Sequence, residues 1–194
     1  MPIWEDLLKF VHVLGVVFMS VPLYNLVLVN ERALLGPGMV YAVDRYLENL
    51  IRKSALRCYV FQATVLVSGL LLTHLELGLS SLFTEWVLAA KTFLLLTLMG
   101  LLSYIHFSVQ PRIEQLLGQV QGDPVPQEIA AALRPLRVRR KRLAGVCLFL
   151  VVSAVILGLQ VFDAFNPWLT TTLIALAALF AWRVYKSPVR FGWV

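Results

Sequence analysis

Five stretches of the chain are apolar on every side, without the alternation that marks a half-buried helix or strand: Leu7–Val29, Cys58–Leu79, Trp86–Val109, Leu143–Phe162 and Pro167–Val184. A helix at a water boundary keeps a polar face, so all-round apolarity predicts helices immersed in lipid. Each run approaches the roughly 20 apolar residues that a membrane crossing requires. Backbone facing hydrocarbon must satisfy its own hydrogen bonds, which excludes irregular chain at that depth. The pattern predicts an all-α integral membrane bundle of five transmembrane helices, forming one domain over 1–194. The polar positions gather in 30–57 and 110–142, which read as amphipathic loops. Within them, Leu47–Leu56 reads as an interfacial helix leading into the second span. Gly122-Asp123-Pro124-Val125-Pro126 reads as a turn between two short amphipathic pieces. Pro22 predicts a kink in the first span, with Tyr24 and Asn25 placed to satisfy the carbonyls it frees.

Composition agrees. Of the 194 residues, 59% are hydrophobic and 14% charged, against about 45–50% and about 25% in a soluble domain. Such a chain cannot cover itself with water-compatible surface, which excludes a disordered protein, a disulfide scaffold and a water-soluble enzyme. Its start, Met1-Pro2-Ile3-Trp4-Glu5-Asp6, lacks the basic region of a secretory signal, and the first helix is expected to be retained.

The net charge of +6 would suit a nucleic-acid binder, but its distribution speaks for orientation. Arg32, Arg45, Arg52, Lys53 and Arg57 lie in the first loop. Arg112, Arg134, Arg137, Arg139, Arg140, Lys141 and Arg142 lie in the third, and Lys186 and Arg190 in the tail. Ser80–Glu85 and Asp163–Trp168 hold no Lys or Arg. Basic loops stay in the cytoplasm, so the N-terminus is expected outside and the C-terminus inside. Trp4, Trp86 and Trp168 then mark outer helix ends, Trp182 and Trp193 inner ones. The Arg137–Arg142 cluster reads as a topology signal, with anionic lipid or an acidic partner as the alternative. No nucleic-acid partner is expected. Cys58 and Cys147 have no metal-ligand spacing and are expected to pack as apolar residues.

Ionisable groups within spans are costly and mark functional sites by default. Candidates are His12, His74, Lys91 and His106. At 1.5 Å per residue, His12, His74 and Lys91 each fall about 7 Å below the outer end of their helix. His106 falls roughly 22 Å deeper than Lys91. Three nitrogen donors on three helices at one level suit an axially ligated haem, since bundle cofactors are held by side chains of facing helices. A flat macrocycle also needs small neighbours, for which Gly15, Ser68 and Gly69 are placed. Lys91 serves equally as a residue snorkelling to the interface, and His74 as an interfacial partner of Glu76. No Ser-His-Asp set, phosphate loop or HExxH motif is present, which argues against a hydrolase or a nucleotide-driven pump.

Leu8-Lys9-Phe10-Val11-His12-Val13-Leu14-Gly15 resembles the first helix of the CopD/HemJ-like membrane proteins. Trp86-Val87-Leu88-Ala89-Ala90-Lys91, with the later Tyr104-Ile105-His106, resembles their third. The segment Arg45–Leu72, which includes Gly69, is similar to their basic loop and second helix, so the likeness covers about the first 110 residues. In the HemJ-type protoporphyrinogen oxidases, a first-helix histidine and a third-helix lysine are associated with haem b. By position these are His12 and Lys91. The resemblance therefore implies a haem b protein of a bacterial cytoplasmic membrane, carrying electrons beside other redox subunits or a quinone. His12 would be one iron ligand, and His74 or Lys91 the other. The family's Asn-Glu-x-Pro signature is missing where the chain reads Leu136-Arg137-Val138-Arg139, and a fifth span is added. Protoporphyrinogen oxidase activity and a cofactor-free structural subunit of a respiratory or photosynthetic complex stand as the alternatives. Copper transport, which the likeness would also allow, lacks a Met- or Cys-rich path.

Overall fold

Seven helices follow one another in the computed structural model, which describes residues 3–31, 40–161 and 165–186. They are α1 (Ile3–Glu31), α2 (Tyr41–Glu76), the single turn α3 (Ser81–Thr84), α4 (Trp86–Tyr104), α5 (Gln110–Leu117), α6 (Gln127–Gly158) and α7 (Pro167–Lys186). A π turn, Ile105–Val109, joins α4 to α5 without a break. No strand occurs among the described residues. Five helices are long and apolar enough to cross a bilayer: Ile3–Asn30, Tyr41–Glu76, Trp86–Leu117, Gln127–Gly158 and Pro167–Lys186. This is the architecture of a multi-pass membrane protein. Large apolar side chains such as Phe10, Val17, Phe93 and Leu176 face outward, as lipid contact requires.

The expected loops are mostly helix. The segment read as loop plus interfacial helix is the first half of α2, which runs unbroken from Tyr41 to Glu76. Likewise Arg134–Arg142 belongs to α6, which passes through Pro135 without ending. Apolarity marked only the lipid-embedded part of each helix; helical hydrogen bonding carries on past it. α1 is also unbroken at Pro22. Arg32, Phe162, Asp163, Arg190 and Trp193 lie outside the described residues.

Local chemistry explains the ends. Asn166 caps α7, its Oδ1 accepting from the Trp168 amide at 2.9 Å, and Pro167 occupies the first helical position, where its missing N–H costs nothing. The α2 start borrows a remote cap, the Tyr41 amide donating to Asp123 Oδ1 at 2.8 Å. After α2, Gly78 takes φ +78°, a left-handed conformation that reverses the chain toward α4.

α1 packs most extensively on α2, and α6 is the central helix, in contact with α1, α4, α5 and α7. Gly15 allows the first approach: a Cβ there would sit 2.9 Å from Val65 Cγ2. Gly145 serves the α6–α7 crossing, where a Cβ would meet Tyr185 Cβ at 3.4 Å. One core cluster runs through Met19, Val27, Cys58, Leu98, Cys147 and Leu148.

The end where α1 begins and α2 finishes is called the top. At the bottom lies a buried network of charge. Arg140, with no exposed surface, donates from Nη1 to Glu48 Oε2 at 2.7 Å and from Nη2 to Glu48 Oε1 at 2.9 Å. Its Nε donates to Asn30 Oδ1 at 2.8 Å, and Nη1 also reaches Gln110 Oε1. Arg137 pairs with Asp44 at 2.8 Å, and Lys141 Nζ donates to the Val184 carbonyl at 2.6 Å. The Arg137–Arg142 cluster, read from the sequence as a topology signal, is divided between interior and surface. Arg137, Arg140 and Lys141 point inward, while Arg139 and Arg142 remain exposed and lie over the Tyr104 and Tyr185 rings.

Candidate functional site

A cavity of about 590 Å³ opens in the upper half of the bundle between α1, α2, α4 and α6. Its wall is mainly Leu and Val, and its polar lining consists of Lys9, His12, Thr73, Glu76, Lys91 and Thr92. That is the size and character of a site for an organic ligand, typically 300–1,000 Å³ and mostly apolar with a few polar groups.

His12 is held in a defined state. Ser68 Oγ donates its single proton to the Thr64 carbonyl at 2.6 Å. The 2.9 Å contact between Ser68 Oγ and His12 Nδ1 therefore needs its proton from the imidazole, so Nδ1 carries the hydrogen. The lone pair is then left on Nε2. A ligating histidine is usually oriented in this way, donating its other ring N–H to a nearby acceptor. Gly69 lies against the ring: a Cβ there would be 3.1 Å from His12 Cε1. Any larger residue would press on the imidazole.

Lys91 reaches the same cavity from α4. A Cβ on Gly158 would lie 3.6 Å from Lys91 Nζ, so the bare glycine gives the amine its room. Among the described residues Lys91 has neither a hydrogen bond nor an ion pair. Above them, Lys9 Nζ and Glu76 Oε1 bridge α1 and α2 at 2.6 Å, both partly exposed and both lining the cavity. Glu76 is thus paired with Lys9, where the sequence had suggested His74.

The expected residues divide. His12 and Lys91 face one cavity. His74 does not join them: it is exposed on α2, one position past the cavity-lining Thr73. Gly15 stays outside the cavity because Val65 fills the space beside it. His106 sits in the π turn, its ring edge-on to Tyr59 at 5.8 Å between centroids. Gly158 is used inside the chain, where its missing side chain makes room for Lys91. Ser68 had been noted only for its size, and its role as the histidine's partner depends on the α1–α2 register.

No family model, curated protein or solved structure matches the chain. Among the described residues no group of three or more His, Cys, Asp or Glu side chains forms a candidate metal centre. An axially ligated macrocycle needs only one or two protein donors, so the fit rests on the cavity. An oriented imidazole, an amine, two bare glycine positions and an apolar wall suit haem b.

Proposed function

We propose that the chain is a haem b-binding electron carrier of a bacterial cytoplasmic membrane, working with other redox subunits or a membrane quinone. The observation that carries this reading is His12, whose Nδ1 is paired with Ser68 and whose ring lines a large apolar cavity. Haem supplies one-electron chemistry when bound. His12 is the iron ligand, Ser68 sets its tautomer, and Gly69 keeps its ring free. Lys91 is favoured over His74 as the second donor because it lines the same cavity. The Leu and Val wall gives the site an apolar lining, and Lys9–Glu76 marks the polar rim.

The resemblance of the α1 and α4 segments to CopD/HemJ-like proteins supports the same two residues. The distribution of Lys and Arg supports an outward-facing top, which gives the cavity access to a donor or quinone on that side. Absorption spectra of purified variants test the assignment. His12→Ala is expected to abolish the Soret band, Lys91→Ala to shift or weaken it, and His74→Ala and His106→Ala to leave it unchanged. Haem retained with an unaltered spectrum in His12→Ala would overturn the ligand assignment.

A further inference from the structure

A second, much smaller cavity lies below the first, about 60 Å³, lined chiefly by the same four helices. Met19, Leu98 and Val151 line both and form the partition between them. It falls well short of the size of a site for an organic molecule but is ample for a few waters. Along α2 the two linings nearly meet, the lower running from Ile51 to Gln62 and the upper from Val65 to Glu76. Gln62 and Val65 are one short step apart, about 4.5 Å along the helix, and Ile51 stands the same distance above Glu48 of the ionic network.

The interior side of α2 carries polar groups over the same length. Glu48, Ser54, Gln62 and Ser68 are all buried, and polar side chains inside a membrane bundle mark sites or pathways by default. Ser54 and Gln62 line the lower cavity, and Asn25 joins them from α1. Gln62 is 3% exposed, and its buried Oε1 has no hydrogen-bond partner. An amide oxygen left unpaired at that depth is costly, and what it lacks is a donor. Water is a donor small enough for this space, and the Ser54 hydroxyl and Asn25 amide on the same wall are suited to give it further partners.

We propose that the lower cavity holds a small cluster of waters anchored on Gln62, and that this cluster is the middle of a proton path along α2 from the Glu48–Arg140 network to the upper cavity. The entrance is a chain of hydrogen bonds. Glu114, partly exposed beside Arg45, accepts from Gln110 Nε2 at 3.1 Å, and the same amide reaches Glu48 Oε2 at 3.4 Å. Asp44, Arg137 and Arg140 are the other charged groups packed around Glu48. Beyond Glu48 the proton hops between waters. At each hop one O–H bond forms and another breaks, so one proton enters below for each released above, and nothing is oxidised or reduced. Met19 is the gate, because an unbranched side chain with several rotatable bonds can turn aside where Leu98 and Val151 cannot. The path draws its use from the redox reading, since a proton reaching the upper cavity compensates the charge of an arriving electron. Hydration and proton passage are nonetheless measured without reference to haem, so they stand or fall separately from it.

Two measurements on the full chain test it. Hydroxyl radicals formed by X-ray pulses from bound water oxidise thiols beside them, and Cys58 and Cys147 are buried, free and line only the lower cavity. Mass spectrometry of the detergent-purified, reduced protein is expected to find both oxidised in the wild type and severalfold less so in Gln62→Leu. In vesicles loaded with the pH dye pyranine, a potassium–valinomycin potential is expected to drive protons faster through the wild type than across protein-free membrane. Gln62→Leu should cut that protein-dependent flux at least tenfold, and Ser54→Ala less severely. Gln62→Glu, which keeps an acceptor, should retain it, and His106→Ala, outside both linings, should leave it unchanged. Helical circular dichroism and size-exclusion profiles verify that each variant is folded. Cysteines untouched by the radicals would mean a dry cavity and overturn the proposal. So would a wild-type flux no greater than that of protein-free vesicles or of Gln62→Leu.

Discussion

The Ser68 hydroxyl has one proton, and its short bond to the Thr64 carbonyl decides which nitrogen of His12 is protonated. Ser68→Ala removes the acceptor for Nδ1–H while leaving the ring in place. Loss of such an outer partner typically costs 10–100-fold in affinity, and a weakening of that order in haem retention is expected in a competition with apomyoglobin. Gly69→Val is expected to abolish binding while preserving the helical circular dichroism, because the added carbons meet the imidazole and not the backbone. Equal haem content in both variants and wild type would show that His12 is not a ligand. At this scale the sequence was informative about which residues are costly in a membrane, and it named His12 and Lys91 on that ground. It was silent about direction. His74 and Thr73 are adjacent in sequence, yet a step of about 100° around the helix takes His74 out of the cavity.

Helix extents were legible wherever apolarity and helicity coincide, as in α7. They were not legible where a helix continues into water or into a charged interior. α2 carries Asp44, Glu48 and Ser54 on the buried side of its first half, polar positions that hydrophobicity alone reads as loop or as interface. The buried side of α6 was not legible for a related reason, since an arginine looks the same in sequence whether it faces headgroups or Glu48. Removing one partner of a buried pair leaves an uncompensated charge and costs about 3–5 kcal/mol. Glu48→Ala is therefore expected to lower the thermal stability of the detergent-solubilised protein by that amount. Arg139→Ala, whose guanidinium is exposed over Tyr104, should cost under about 1 kcal/mol. Similar melting curves for the two variants would contradict the inward assignment of Glu48 and Arg140.

Across the whole molecule the two ends differ in kind. Among the described residues the connections at the top carry no Lys or Arg, whereas the bottom concentrates Arg45, Arg52, Lys53, Arg112, Arg134 and Arg139 around a buried ionic knot. A C-terminal fluorescent-protein fusion is expected to glow, and an alkaline phosphatase fusion at the same point to be inactive, if the bottom faces the cytoplasm. The reverse pair of results would invert the orientation and with it the side from which the upper cavity is reached. The oriented imidazole, the amine and the apolar wall converge only when α1, α2, α4 and α6 assemble, so no single segment contains the site. Its occupancy is the central claim, and the absorption spectrum of the purified wild-type protein tests it most directly. The account predicts a Soret band and a pyridine haemochrome of the b type near one haem per chain; a colourless protein yielding no haemochrome, even after haem is added during purification, would contradict it.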